Sequence, residues 1–399
     1  MSIGGLSTAR LARMHDVMAA YVDRGDVPGI VTLVSRRGEE HVDEIGAKAI
    51  GGSDPILHDT IFRISSLTKP IIAVATMVLV EECKLRLDEP VDRLLPEMAD
   101  RKVLKRLDGP LNDTIPATRP ITVRDLLTRR MGFGFILEEG EYPILAAASE
   151  REIVMGPPKP ATPLVPDEWI RRFATLPLMH QPGETWMYEL AFSVLGVLIA
   201  RAAGQPLETF LRERIFAPLG MKDIGFSVPA AKLDRLATCY WTNFETGAFE
   251  VYDGVRDSQW NRPPAFPDAA GGLVSTIDDY LAFGQMMLEK GKHGSERILS
   301  RPSVELMTSD QLTSPQRAAA GLFLGDDRGW GFGVSMITRR DDISAVPGRF
   351  GWDGGLGTSW YADPTEEMLA ILMTQRLAGP SSPGIDLDFW TSVYQAIDD

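Results

Sequence analysis

Cysteine is nearly absent from this chain. Its 399 residues contain two, Cys83 and Cys239, which excludes a disulfide framework and a cysteine-built metal site. Histidine is almost as scarce, with five, and none of them falls in H-E-x-x-H or a similar ligand spacing. No metal and no cofactor is therefore expected. Long apolar runs are missing too: the longest, Ile71 to Val80, is ten residues, where a bilayer span needs ~20. Positive charge is outnumbered, with 41 Lys and Arg against 55 Asp and Glu and a net charge of −14. Such a surface repels phosphate backbones and anionic lipid, so neither nucleic acid nor a membrane is an expected partner. The first 30 residues lack the apolar stretch of a secretory signal. Leu11, Met14, Met18 and Tyr21 recur there at helical spacing instead, and the expected location is cytoplasmic. Two catalytic signatures are also lacking. There is no G-x-S-x-G elbow, and the Gly354-Gly355-Leu356-Gly357 run does not continue as G-x-G-x-x-G.

What is present is an ordinary globular composition, 44% hydrophobic and 24% charged, with ample material for a core. Ile30 to Val34 reads as a strand, Arg37-Gly38-Glu39 as a hairpin turn and His41 to Ala47 as the returning strand. Ile71 to Cys83 reads as a helix buried on most faces. From Val91 to Pro267, helical patterns at 123–130, 167–174, 192–203 and 207–216 alternate with Pro- and Gly-rich loops. Within this stretch, Phe133 to Pro166 is long and irregular and holds six prolines, which marks it as functional or disordered rather than scaffold. A helix at 276–290 follows, then strands at 331–338, 349–352, 359–363 and 368–374 and a last helix at 385–397. Strands at both ends of the chain predict an α/β domain from residues 1–90 and 268–399, with a mainly helical domain inserted at 91–267.

One tetrad stands out, Ser66-Leu67-Thr68-Lys69, the only Ser-x-x-Lys in the chain. With 10 lysines and 22 serines, chance supplies roughly half of one such pair, so the spacing alone decides nothing. Its setting says more. Pro70 belongs in the first turn of a helix, so the helix running through Val80 begins near Ser66. The Ser66 hydroxyl then sits at the positive end of a helix dipole, and Lys69, three positions on, shares its face. A serine needs a base, and a Lys–Tyr pair can supply one: a nearby ammonium lowers the pKa of a tyrosine, and burial lowers that of a lysine. Tyr188, after the Pro182-Gly183 turn and just before a helix, is the candidate partner. The glycines from Gly354 to Gly357 permit close backbone approach, and an N–H there could complete an oxyanion hole with that of Ser66. Taken singly, each segment also has a bland alternative: a serine helix cap with a solvated lysine, a half-buried tyrosine, a glycine-rich hairpin.

In this order and at these separations, the segments Phe62 to Lys69, Ile121 to Thr128, Pro182 to Tyr188, Ala270 to Thr276 and Arg349 to Gly357 resemble the serine β-lactamase/penicillin-binding-protein superfamily. The likeness is closest to class C β-lactamases and family VIII carboxylesterases. It implies an antiparallel sheet flanked by helices plus a helical domain, with the site between them. By that likeness Ser66 is the acylated nucleophile, Lys69 its activator and Tyr188 the base. The N–H groups of Ser66 and Gly355 form the oxyanion hole, and Trp352, Asp353 and Gly354 contact substrate.

The departures bear on substrate. Tyr188-Glu189-Leu190 replaces Tyr-x-Asn, and Trp352-Asp353-Gly354 replaces a cation before Thr-Gly. A carboxylate-bearing β-lactam loses its cation, and Trp352 is expected to wall an apolar pocket. The expectation is a serine esterase acting on small neutral esters, with Phe133 to Pro166 overhanging the cleft. An acyltransferase, an amidase or weak β-lactamase, and a catalytically silent binding domain are the alternatives. His180 and Cys83 are assigned to structure.

Overall fold

Two runs far apart in the chain build one seven-stranded sheet. Its strands are β1 (Gly29–Arg36), β2 (Glu39–Gly46), β3 (Arg328–Trp330), β4 (Ser335–Ile337), β5 (Phe350–Gly354), β6 (Thr358–Asp363) and β7 (Met368–Met373). The computed structural model describes residues 2–243, 248–377 and 384–399. The strand order is β3-β4-β5-β6-β7-β1-β2, and every neighbouring pair is antiparallel. The sequence explains who sits where. β1, β6 and β7 are buried at every position, as interior strands covered on both faces must be. β2, with Glu39, Glu40, Asp43 and Glu44, is a charged edge that resists pairing with another chain. Arg37 and Gly38 join β1 to β2 with φ of 53° and 81°, the positive values a two-residue hairpin turn demands.

Helices cover both faces. On one lie α1 (Thr8–Asp23) and the C-terminal helix (Ile385–Gln395), whose Leu11, Met14, Met18, Phe389, Trp390 and Val393 pack on Ile30, Val34 and Leu372. On the other lie α2 (Thr68–Glu81) and the helix Ile277–Leu288. In α2 every residue from Thr68 to Leu79 is buried. A helix apolar all round is a core helix, and burying each Val, Leu or Ile contributes about 1.5–3 kcal/mol. Beyond α2 the same core continues into α3 (Val123–Leu127), α4 (Pro143–Glu150), α5 (Pro166–Ala174) and α6 (Ala191–Ala203). Thr122 and Asp125 cap the start of α3 reciprocally, and Arg119 holds Asp125 through both guanidinium nitrogens. Among the described residues, no single helix is long and apolar enough to cross a membrane.

Several boundaries differ from the sequence expectation. The strand expected at 331–338 is a hairpin, because Gly331 N–H bonds to Val334 O and Gly333 takes φ +76° to pack on the Lys69 and Ala73 turn of α2. The helix expected to run to residue 130 stops at Leu127, where Arg129 turns left-handed with φ +58°. Phe133 to Pro166 contains α4, and the middle of the chain also carries two antiparallel ribbons, Lys102–Leu104 with Thr114–Pro116 and Cys239–Thr242 with Phe249–Asp253.

The second ribbon is tied to the chain just past β7 by backbone bonds of Tyr240 and through the buried Arg63. Arg63 bonds to Asp253 through Nε at 2.8 Å and also through a terminal nitrogen, and it reaches Ala237 O at 2.6 Å and Gln375 Oε1 at 3.2 Å. Both partners of the ion pair are almost fully buried, at 0% and 2% side-chain exposure. Removing one partner of such a pair leaves an uncompensated charge and costs about 3–5 kcal/mol. Asp253→Ala is therefore expected to lose stability of that order, read as a lowered denaturant midpoint. A loss below about 1 kcal/mol would contradict this placement of the charge.

Candidate active site

Ser66 stands in a 3-10 turn, Ser65–Leu67, that runs directly into α2. The turn is held from several sides. Ile64 N–H donates to Leu273 O at 3.1 Å and Thr358 Oγ1 donates to Ile64 O at 3.1 Å. Leu273 N–H donates to Thr68 Oγ1 at 3.2 Å, and Tyr280 Oη donates to Leu67 O at 2.9 Å. Gly354 is required here, since a Cβ on it would strike Ile64 O and Thr358 Oγ1. Pro70 occupies the first turn of α2, as its missing N–H dictates.

The Ser66 hydroxyl meets two groups at once. Lys69 Nζ donates to Ser66 Oγ at 2.8 Å, and Tyr188 Oη lies 2.6 Å from the same oxygen. Lys69 is fully buried; it also donates to Ala270 O and stands 3.8 Å from the Glu189 carboxylate. Tyr188 is placed by backbone bonds on both sides: Met187 N–H donates to Arg129 O at 2.8 Å, and Phe135 N–H donates to Tyr188 O. Its ring stacks on Phe323 with centroids 4.8 Å apart, and Trp352 Nε1 approaches its oxygen at 3.4 Å.

Burial pushes the Tyr188 phenol up, but the Lys69 and Arg129 cations together outweigh it and leave its pKa below the ordinary tyrosine value. Burial raises the Glu189 carboxyl, opposed by Lys69 and by the Gly156 N–H, which donates to it at 2.6 Å. A hydroxyl held between an ammonium and a tyrosine can lose its proton to that tyrosine in its phenolate form, while the ammonium stabilises the alkoxide.

The structure thus brings Ser66, Lys69 and Tyr188 together. Gly355 is exposed just past β5, where a Cβ would lie 3.9 Å from Ser65 Oγ, and its N–H is bonded to no other group among the described residues. Two expectations for β5 need correction. Asp353 points to the opposite face of the sheet, where Ser359 Oγ donates to it at 2.6 Å and Tyr361 Oη at 2.9 Å. Alternation along a strand forces this, because Trp352 beside it faces Tyr188. Trp352 in turn is 5% exposed and packs edge-on to Trp330 at 4.7 Å, so it backs Tyr188 rather than walling an open pocket. A cavity of about 250 Å³ lies beside Tyr188, lined by Leu107, Phe135, Ile136, Leu137, Met187 and Phe323 together with the polar Glu138, His180 and Thr185.

Sequence reasoning missed Arg129, Glu189 and Phe323. Glu189 was visible only as a departure from an asparagine-containing motif. Arg129-Arg130 after a short helix carries no local sign of burial, since cations at a helix C-terminus are ordinarily solvated.

The model of the Beta-lactamase family matches residues 14–395 of the chain. Protein Rv1367c of Mycobacterium tuberculosis is 38% identical over 367 residues, which cover 88% of this chain and 87% of that one. Esterase EstB of Burkholderia gladioli is 30% identical over 403 residues, 92% of each chain. Among solved structures, EstCE1, a hydrolase with promiscuous acyltransferase activity, superposes with a TM-score of 0.80 at 25% identity, over 97% of this chain and 99% of its own.

Ser66 is the serine whose hydroxyl both Lys69 and Tyr188 reach. A fluorophosphonate is expected to label wild type on the peptide containing Ser66, with labelling slowed about 10²-fold or more in Lys69→Met and in Tyr188→Phe. Equal labelling rates in all three proteins would contradict the assignment.

Proposed function

Because this chain belongs to the β-lactamase family, the family of serine hydrolases with esterase relatives, we propose that it is a serine carboxylesterase that cleaves small neutral esters through an acyl-enzyme on Ser66. The observation that carries this reading is the Ser66 oxygen held at 2.8 Å by Lys69 and 2.6 Å by Tyr188. Ser66 Oγ attacks the ester carbonyl carbon as its proton passes to Tyr188 Oη, and the Lys69 ammonium stabilises the developing alkoxide. The carbonyl oxygen takes up negative charge against the N–H groups of Ser66 and Gly355. Collapse of the tetrahedral adduct expels the alkoxide, which leaves as the alcohol with the proton Tyr188 had taken. Water then repeats the cycle on the acyl-enzyme, giving its proton to Tyr188 and returning Ser66 with the free acid.

Two features favour a neutral ester. The cations that touch the site, Lys69 and Arg129, are both fully buried, so neither is free to pair with a substrate carboxylate. A mostly apolar cavity lies beside Tyr188, and in this reading it takes the alcohol portion of an ester. Phe135 to Leu137 wall it, and in this reading the 133–166 segment sets substrate size. Transfer of the acyl group to an alcohol held in the same cavity is a second reading, supported by the likeness to EstCE1. A silent binding domain has no chemical reason to keep a buried lysine and tyrosine on one serine hydroxyl.

Hydrolysis of p-nitrophenyl butyrate is expected in wild type and to fall about 10³-fold or more in folded Ser66→Ala. The neutral ester should exceed a penicillin or cephalosporin in kcat/KM by about 10² or more, the worth of a missing cation contact. The reverse order would overturn the ester reading. Since the proton acceptor must be ionised, kcat/KM is expected to climb with pH and level off below the ordinary tyrosine value of ~10.

A further inference from the structure

Six arginines are buried among the described residues: Arg36, Arg63, Arg101, Arg129, Arg349 and Arg376. Five of them donate to backbone carbonyls or to a carboxylate, as buried guanidinium groups must. Arg129 is different. It is 0% exposed, and none of its three nitrogens finds a hydrogen-bond partner of ordinary geometry among the described residues. Its surroundings are aromatic faces: Cζ lies 3.9 Å from the Trp330 centroid, 4.1 Å from Tyr188, 5.2 Å from Trp352, 5.3 Å from Trp186 and 5.5 Å from Phe192. Burial pulls its pKa down to about 10, which leaves it charged at neutral pH.

A cation in that position calls for an anion. Lys69 is not short of one, because the Glu189 carboxylate stands 3.8 Å away. Arg129 has no carboxylate in salt-bridge reach among the described residues, and the acid against its face is Tyr188. The charged and titratable groups around Tyr188 are Lys69 from α2, Arg129 after α3 and Glu189 beside it in the chain. His180 and Glu138 share its cavity. Glu189 is in salt-bridge reach of Lys69 and not of Arg129, so an ionised Tyr188 is the counter-charge that lies against the Arg129 guanidinium.

We propose that Arg129 is a positioning residue that holds Tyr188 as a phenolate in the resting protein, its guanidinium lying against the ring as the buried counter-charge. Its use in the reaction rests on the reading of Tyr188 as the acceptor of the Ser66 proton. The flat guanidinium suits this place better than an ammonium, because it is weakly hydrated and stacks on several rings at once. The Arg129 backbone, just past the end of α3, is left-handed with φ +58°.

Tyrosinate absorbance in the near ultraviolet, titrated in wild type and in Tyr188→Phe, isolates the ionisation of Tyr188 by difference. In Arg129→Met that transition is expected to move up by about one unit or more, a tenfold loss of phenolate. Arg129→Lys, which keeps the charge, should stay closer to wild type. Arg129→Met should also fold with a melting temperature near that of wild type, because Tyr188 can neutralise itself by taking up a proton. An unshifted Tyr188 transition in Arg129→Met, or failure of that variant to fold, would overturn the proposal by making Arg129 a packing residue only. The pH dependence of kcat/KM separates the two claims. If it shifts with the absorbance, both stand; if the absorbance shifts and the rate profile does not, Arg129 holds Tyr188 and the proton-acceptor reading falls.

Discussion

The Ser66 hydroxyl, shared between Lys69 and Tyr188, is the interaction on which the rest of the arrangement depends. Neither partner acts usefully in water, where both hold their protons at neutral pH. Out of solvent, the Lys69 and Arg129 cations lower the pKa of Tyr188, and that requires a dry enclosure that will not relax. α2 supplies one wall, with every residue from Thr68 to Leu79 buried. The Ala270–Leu273 backbone, β5 and β6 grip the turn that carries Ser66. Tyr188 is fixed by the chain on either side and by Phe323 and Trp352 against its ring. Low dielectric makes each of these placements matter, because buried charges interact strongly and any unpaired one is costly.

Much of this was legible in the residues. Pro70 located the start of α2, the spacing of Ser66 and Lys69 put them on one face, and the apolar run to Val80 announced a buried helix. The fully apolar β7 and the charge-laden β2 read directly as interior and edge. Period-two alternation in β5 also held the answer for Asp353: if Trp352 faces the site, its neighbour cannot. The error there was to treat a contiguous triplet as one surface.

Other features had no local signal. Nothing near Arg129 says that it will be enclosed by rings from residues 186, 188, 192, 330 and 352, since only the folded chain brings these together. The hairpin at 331–334 forms because Gly333 must approach the α2 backbone, a contact made across the core. Helix α3 stops short because Arg129 turns left-handed and gives its carbonyl to the Met187 amide. In each case a tertiary contact overrides the local pattern, and in each case it serves the placement of Lys69 or Tyr188. Local rules yield at the site because its geometry is set by distant parts of the chain.

The central claim is that Ser66 carries the acyl group between the two halves of the reaction. Its most direct test is to quench wild type during turnover of p-nitrophenyl butyrate and map the bound butyryl group by peptide mass. The adduct is expected on Ser66, formed with a burst of nitrophenol equal to the enzyme present and discharged by added alcohol or water. Turnover with no acyl adduct, or an adduct on another residue that forms and decays at the turnover rate, would contradict it.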